Sequence, residues 1–155
     1  MRIALFQPDI AQNTGTLLRL GACLNIPIDI IEPCGFRFNS KEMKRAGMDY
    51  LDKVNYKKHI SWEDFLQNRE ENPNEYGRII LLSTKASQNY CDFEFKENDI
   101  LLLGRESCGA PEIVHEKSDA RVIIPMHADT RSINIAISAS MVLGEAMRQC
   151  NIFPK

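Results

Sequence analysis

Short apolar runs alternate with helix-like segments along almost the whole of this 155-residue chain. The alternation is typical of an α/β fold with a mostly parallel sheet flanked by helices. With no repeat, low-complexity tract or linker, residues 1–155 are predicted to form a single domain. The apolar runs predict strands over 2–6, 26–31, 54–56, 78–83, 100–103 and 120–124. Helical spacing and capping residues predict helices over 14–24, 39–46, 61–67, 110–116 and 133–149.

The predicted last helix, 133–149, is apolar around most of its circumference. Its isoleucine, alanine, methionine, valine and leucine residues leave little polar surface before Glu145. A helix of this kind must be buried on more than one side. In so small a domain the second covering surface is expected to be another subunit. The sequence therefore predicts a homodimer through this helix and the helix over 14–24.

Composition narrows the class of protein. Hydrophobic residues make up 44% and charged residues 26%, an ordinary globular balance, and no apolar run is long enough to cross a bilayer. The N-terminus has no signal-peptide pattern, so we expect no membrane association and a cytoplasmic location. An odd number of scattered cysteines without a Cys-x-x-Cys pair favours reduced, mostly packed thiols over disulfides or a zinc site. These are Cys23, Cys34, Cys91, Cys108 and Cys150.

The net charge of −2 counts against a nucleic-acid-binding protein, although local clusters of basic residues matter more than the total. Two such clusters occur close together in the sequence. By themselves they are better explained as a solvated charged face than as a nucleic-acid-binding surface. The clusters are Lys41, Lys44 and Arg45, followed by Lys53, Lys57, Lys58 and His59.

Three loops carry the candidate functional residues, and each follows a predicted strand, at the sheet edge where α/β folds bind ligands. The first contains Asn13 and Gly15 and leads to Arg19, a cation suited to phosphate. Asn13 is expected either to cap the following helix or to hold a ligand. The alternative is an ordinary helix start with a surface arginine.

The second loop has two glycines, Gly104 and Gly109, directly after an apolar strand. Its exposed backbone donors and acceptors could grip an adenine or a carboxylate. It matches neither the dinucleotide fingerprint nor the phosphate loop, which disfavours NAD and ATP as ligands. The alternative is a plain strand-to-helix turn with Pro111 in the first helical turn.

The third loop joins Ile124-Pro125-Met126 to a polar cluster over 129–134. Asn134 is predicted to lie inside the last helix, where an unpaired amide would cost about 1–3 kcal/mol. It therefore needs a partner, which could be a ligand or the protein's own backbone.

In combination, these loops resemble the three motifs of the SPOUT methyltransferase superfamily over nearly the whole chain. The matching segments are Asn-x-Gly-x-x-x-Arg at 13–19, Gly-x-Glu-x-x-Gly at 104–109, and Ile-Pro-Met at 124–126 with Arg-Ser-Ile-Asn at 131–134. Ile-Ile-Glu-Pro at 30–33 and Arg-Ala-Gly-Met-Asp-Tyr at 45–50 resemble its minimal members. Those members methylate the wobble nucleotide of certain leucine tRNAs.

The resemblance implies a deep C-terminal trefoil knot and an obligate dimer with its active site near the subunit interface. It implies 2′-O-methylation of nucleotide 34 of a tRNA, with S-adenosylmethionine as the cofactor and no metal. Backbone contacts are expected to dominate cofactor binding, at Leu82, Gly104, Ile124 and Ser132.

By the same resemblance, Arg19 assists deprotonation of the ribose hydroxyl, while Asn13, Glu106 and Asn134 shape the site. Because a guanidinium stays protonated at neutral pH, we assign Arg19 to orientation and charge stabilisation and leave its action as a base open. Three residues depart from the pattern. Arg105 replaces a small residue and could contact phosphate or alter specificity, Ala110 replaces a leucine, and Gly144 replaces a tyrosine that close relatives carry.

Three alternatives remain. The same fold could act on another RNA position, such as an rRNA ribose or a guanine base nitrogen. A non-catalytic RNA-binding dimer is the second, and Arg19 with an intact third motif argues against it. A nucleotide-binding oxidoreductase is the third, disfavoured by the missing fingerprint.

Overall fold

The computed structural model describes residues 1–38 and 51–155. The described strands are β1 (Arg2–Phe6), β2 (Ile28–Ile31), β3 (Tyr56–His59), β4 (Ile79–Leu82), β5 (Gln88–Asn89), β6 (Ile100–Leu103) and β7 (Ala120–Ile123). The described α-helices are α1 (Ala11–Leu24), α2 (Trp62–Glu71), α3 (Glu112–Lys117) and α4 (Ile135–Cys150), and a 3₁₀ turn spans Tyr90–Asp92.

All of these strands pair in parallel, in the order β3-β2-β1-β6-β4-β7-β5. The central strands are buried on both faces, which explains why they read as unbroken apolar runs. On one face, α1 and α4 pack against Ile3, Leu5 and Leu103. On the other, α2 and α3 pack around Phe6 and Leu102. The α/β class with a parallel sheet flanked by helices is confirmed.

Most of the predicted element bounds lie within two residues of the observed ones. The larger differences are at α1, α2 and β3. α1 begins at Ala11 rather than Thr14, and its N-cap, Ile10, makes no side-chain hydrogen bond. The prediction that Asn13 caps this helix is therefore wrong. α2 continues four residues beyond the predicted end at Gln67, from a start where the Ser61 side chain accepts a hydrogen bond from the Asp64 amide.

The pattern of apolar runs misplaces β3 and misses β5. β3 covers 56–59 rather than 54–56, because its register is set by pairing with β2, Ile28 opposite Tyr56. β5 was not predicted at all. Its two polar residues carry no periodic signal and form a strand only by pairing with the end of β7.

Three further predictions concern residues 39–50, the cysteines and membrane-spanning helices. The helix over 39–46, the first basic cluster and the motif at 45–50 lie outside the described residues. The prediction of mostly packed thiols is wrong, since Cys23, Cys91 and Cys108 are exposed. Among the described helices, none has the length and apolar character needed to cross a bilayer.

Candidate active site

A cavity of about 480 Å³ lies at the carboxyl ends of β4, β6 and β7. Its walls come from the segments that follow each strand: 83–85, 104–110 and 124–126, together with 132–135 at the start of α4. Because parallel strands end at the same edge of a sheet, loops far apart in sequence meet here. The volume lies within the range of roughly 300–1,000 Å³ that small-molecule sites occupy.

Seven of the eight predicted site residues line this cavity. Arg19 is the exception: it lies on the exposed side of α1, six residues after Asn13. That separation is about 9 Å along a helix axis. The seven lining residues are Asn13, Leu82, Gly104, Glu106, Ile124, Ser132 and Asn134.

A chain of hydrogen bonds joins the three loops. The Asn134 side-chain amide donates to Asn13 Oδ1 at 3.0 Å, and Asn13 Nδ2 donates to Glu106 Oε1 at 3.3 Å. Asn134 is an exposed N-cap of α4, not an interior residue, and its Oδ1 accepts from the Ala136 amide at 2.9 Å. The expected partner of Asn134 is therefore the protein itself, and the prediction that it lies inside the helix is wrong.

Asp9, which the sequence reasoning missed, anchors the second loop. Its Oδ1 is 2.7 Å from Arg105 Nη2, and its Oδ2 accepts from the Ser107 amide at 3.1 Å. Hydrogen bonds from the Arg105 guanidinium and then the Ser107 hydroxyl lower the pKa of Asp9 to about 2. Its backbone N–H donates to Glu106 Oε2 at 2.7 Å. The structure thus gives Arg105 an ion pair with Asp9, where the sequence had suggested a phosphate contact.

Glycine is required at both ends of this loop. A Cβ on Gly104 would lie 2.6 Å from the Ala110 nitrogen, and Gly109 has a φ of +72°. Within the loop, the backbones of Arg105 and Gly109 exchange two hydrogen bonds, of 3.1 and 2.8 Å. The absence of a side chain at Gly104 therefore lets the end of the second loop pack against the end of β6, where both line the cavity.

The chemistry of the cavity fits a nucleoside-like ligand. Leu82 and Ile124 supply apolar surface, and the loops supply backbone donors and acceptors. Within residues 1–38 and 51–155, no cluster of three or more His, Cys, Asp or Glu side chains is arranged to hold a metal ion.

Comparison with known proteins gives a consistent result. A model of the SpoU rRNA Methylase family matches residues 1–144. A protein of Beijerinckia indica named tRNA (cytidine(34)-2'-O)-methyltransferase is 53% identical over 99% of this chain and 94% of its own.

Two solved structures are also similar. One, described as "Structural insights into the 2-OH methylation of C/U34 on tRNA", is 36% identical over 96% of this chain and 94% of its own, with a TM-score of 0.85. The other is the SpoU methyltransferase AviRb from Streptomyces viridochromogenes in complex with AdoMet, with a TM-score of 0.85. At 21% identity, over 96% of this chain and 60% of that one, it shows a shared fold.

Proposed function

The chain belongs to the SpoU rRNA Methylase family, and on that premise we propose that it methylates the ribose 2′-hydroxyl of nucleotide 34, cytidine or uridine, in a tRNA. The cofactor is S-adenosylmethionine. The observation that carries the proposal is the meeting of the three motif loops at one cavity, in a chain 53% identical to a relative named for this activity. We propose leucine tRNAs as the substrates, because the short motifs at 30–33 and 45–50 resemble those of the minimal superfamily members. We propose the cytoplasm as the location, because the proposed substrate is a tRNA.

The cavity suits the cofactor. S-adenosylmethionine would be held by Leu82, Gly104, Ile124 and Ser132, which all line the cavity. When bound, it supplies a methyl group already activated on a sulfonium. The residues of the chain then have to orient the ribose hydroxyl and accommodate the charge that develops on its oxygen.

We propose that the Arg19 guanidinium stabilises the charge that develops on the ribose oxygen and contacts the neighbouring phosphate. The hydrogen-bonded row of Asn134, Asn13 and Glu106 is a positioning device, because it connects α1, the second loop and the start of α4. A fixed arrangement of these three segments sets where α1, and with it Arg19, lies relative to the cavity.

We also propose that residues 1–155 form one domain and that its C-terminal part contains the trefoil knot. The single-domain proposal is supported by one sheet that includes strands from both halves of the chain. The knot proposal is supported by family membership and by the convergence on one cavity of the loops after β4, β6 and β7.

Mass-spectrometric mapping of tRNA tests the function directly. Cells that lack the gene should lose the 2′-O-methyl group at nucleotide 34 of leucine tRNAs, and a plasmid copy should restore it. Other tRNA modifications serve as the internal control. Loss of a methyl group only from rRNA or from a guanine base would contradict the proposal and favour the alternative RNA position.

The cofactor assignment predicts that Gly104→Ala weakens binding of S-adenosylmethionine by roughly tenfold or more, equivalent to about 1.4 kcal/mol. The added methyl group would contact backbone atoms at 2.6 and 2.7 Å, so the loop must shift at the cavity wall. Isothermal calorimetry measures the affinity, and a melting curve of the same sample shows whether the variant is folded. Wild-type affinity in a folded variant would contradict the placement of the cofactor.

A homodimer through α4 and α1 is the proposed assembly. Ile137, Met141 and Gly144 are spaced i, i+4 and i+7 on α4, a spacing that places them on one stripe. Ile137 is 56% exposed, and a Cβ on Gly144 would meet nothing within 4 Å. The exposed Ile137 side chain could pack against a second helix, and the open space at Gly144 would let that helix approach closely.

Ile137→Lys should therefore convert the dimer to a monomer, because a lysine charge would be buried at the interface. Sedimentation velocity at micromolar concentration measures the oligomeric state. Ile113→Lys is the matched control, since Ile113 is 52% exposed on α3, in the layer on the other face of the sheet. A wild-type protein that sediments as a monomer would contradict the assembly.

A further inference from the structure

A row of aromatic rings with two basic side chains lies outside the cavity, between the loop that follows β2 and the edge strand β3. We call Phe36, Arg37, Phe38, Tyr56 and Lys58 the aromatic–basic surface. The Phe36 and Phe38 ring centroids are 6.3 Å apart with planes 29° apart, and Phe38 and Tyr56 are 5.8 Å apart. Lys58 Nζ is 5.1 Å from the Phe38 ring centroid. All of these residues except Tyr56 line a shallow groove.

Part of this row is anchored and part is accessible. Phe38 and Tyr56 pack against the core, whereas Phe36 continues the row of rings outward. All three rings are half-buried, so each keeps a portion of its surface in solvent. Ile60, which also lines the groove, is 79% exposed.

The groove is positively charged although the chain as a whole has a net charge of −2. Its basic side chains, Arg37 and Lys58, are both exposed. Glu32 is its acidic side chain, and it is paired with Lys58 at 2.8 Å. Arg37 is therefore the positive charge in excess, and it lies between the two phenylalanines in sequence.

The aromatic–basic surface is tied to the wall of the active-site cavity. The Gly35 amide donates to the Pro8 carbonyl at 2.8 Å, and a Cβ on Gly35 would lie 2.9 Å from the Asp9 Cα. Asp9 in turn holds Glu106 and Arg105 of the second loop. The loop that carries Phe36 thus packs on the segment that shapes the cavity.

The distance between the two sites suits a continuous strand of RNA. β2 is two places from β6 in the sheet, which is roughly 10 Å at the usual strand spacing. About three stacked nucleotides, at roughly 3.4 Å each, span that distance. The loop that carries Phe36 follows the carboxyl end of β2 and packs on Pro8 and Asp9, so it lies at the edge of the sheet where the cavity is, whereas Tyr56 starts β3 and lies nearer the opposite edge.

We propose that the aromatic–basic surface stacks the unpaired nucleotides that adjoin the methylated nucleotide of the RNA substrate. Aromatic rings stack with any base, and an arginine among them pairs with phosphate or stacks as a plane, which is how proteins bind single-stranded RNA. RNA is favoured over a protein partner because the groove carries an excess positive charge close to the site where an RNA is proposed to be methylated. The proposal rests on the proposed function, and it assigns these residues to substrate positioning.

The test uses an anticodon stem-loop RNA with 2-aminopurine in place of a loop nucleotide next to the target. Wild-type protein should quench its fluorescence on binding. Phe36→Leu should weaken binding about tenfold and abolish the quenching, while Phe36→Trp should keep both, because tryptophan also stacks on bases. Phe153→Leu, which changes another exposed ring, is the matched control and should behave as wild type.

Salt dependence tests the charge. Arg37→Ala should lower the slope of log affinity against log salt concentration by about 0.7, the value for one phosphate contact on a single strand. Arg121→Ala, which removes an exposed arginine from β7, should leave the slope unchanged. Affinity for S-adenosylmethionine should equal that of wild type in all of these variants.

The outcomes separate this proposal from the proposed function. Unchanged RNA affinity and quenching in Phe36→Leu, with normal cofactor affinity, would overturn the proposed role of the aromatic–basic surface in stacking RNA. The aromatic rings would then have a packing role or bind a protein partner. If the wild-type protein quenches the fluorescence, Phe36→Leu does not, and the wild-type protein methylates no ribose, the RNA-stacking role of the aromatic–basic surface would be supported. The methyltransferase assignment would then be overturned. Methylation at nucleotide 34 with a tenfold higher KM for RNA in Phe36→Leu and an unchanged kcat would support both.

Discussion

Arg19→Ala is expected to lower the rate of methyl transfer to tRNA by about 100- to 1,000-fold, the range for removing a group that stabilises developing charge. Arg19 is exposed on α1, where Leu17 and Leu18 supply the buried contacts of that turn. Its removal should therefore change the free energy of unfolding by no more than about 0.5 kcal/mol. The affinity for S-adenosylmethionine should also stay the same, because Arg19 does not line the cavity.

A filter assay with radiolabelled cofactor and bulk tRNA measures this effect, with a melting curve as the folding control. Arg19→Lys should recover only part of the activity, since lysine keeps the charge but not the planar fork of donors. Arg121→Ala, another exposed arginine to alanine change, should be fully active. Near-normal turnover in Arg19→Ala would remove Arg19 from the mechanism without affecting family membership.

Asp29→Ala is expected to lower the free energy of unfolding by about 3–5 kcal/mol, the range for breaking a buried ion pair on one side. Asp29 has no exposed surface. Its carboxylate accepts hydrogen bonds from Arg2 Nε and the Tyr76 hydroxyl, each at 2.8 Å, and lies 2.8 Å from His59 Nε2. Removing it leaves the buried Arg2 guanidinium without its main counter-charge.

Chemical denaturation at neutral pH measures that loss. Tyr76→Phe is the matched control: it removes one hydrogen bond to the same carboxylate and keeps the ring over which Arg2 lies, so it should cost only about 1 kcal/mol. Equal effects of the two variants would show that the ion pair contributes no more than a single hydrogen bond.

The same carboxylate predicts how stability depends on pH. Burial alone would raise the pKa of Asp29, but hydrogen bonds from His59 and Arg2 outweigh it, so the pKa lies below its ordinary value. A lowered folded-state pKa contributes stability above the unfolded value, near 3.9, and loses it as the pH falls toward the folded value. Wild-type stability should therefore fall more steeply below about pH 4 than that of Asp29→Asn.

Local patterns predicted the elements that local forces determine. The apolar runs at β1 and β6 are strands because side chains that need burial on both faces fit only the centre of a sheet. Gly104 and Gly109 could be recognised as loop residues because two glycines directly after an apolar strand end it, and the structure gives Gly104 a close backbone contact and Gly109 a positive φ. The three motifs were likewise readable, and they led to a family that the comparisons confirm.

Predictions failed where a distant contact replaced a local one. Asn13 looks like a helix cap in sequence, yet its amide bonds to Glu106, 93 positions away, while α1 starts two residues earlier. Asn134 looks like a helix-interior residue, yet it is the cap of α4 and donates to Asn13. No local pattern distinguishes these outcomes, because the partner lies in another segment.

The sequence by itself determined the α/β class, most of the strands and helices, and the motifs of the candidate site, since hydrophobic periodicity and glycine requirements act over a few residues. Only the tertiary structure decided that Asp9 would hold Arg105, that Asn134, Asn13 and Glu106 would form one row, and that Phe38 would stack beside Tyr56. Those contacts depend on which strands become neighbours in the sheet. Strand order is set by the packing of the whole chain, and no short segment carries that information.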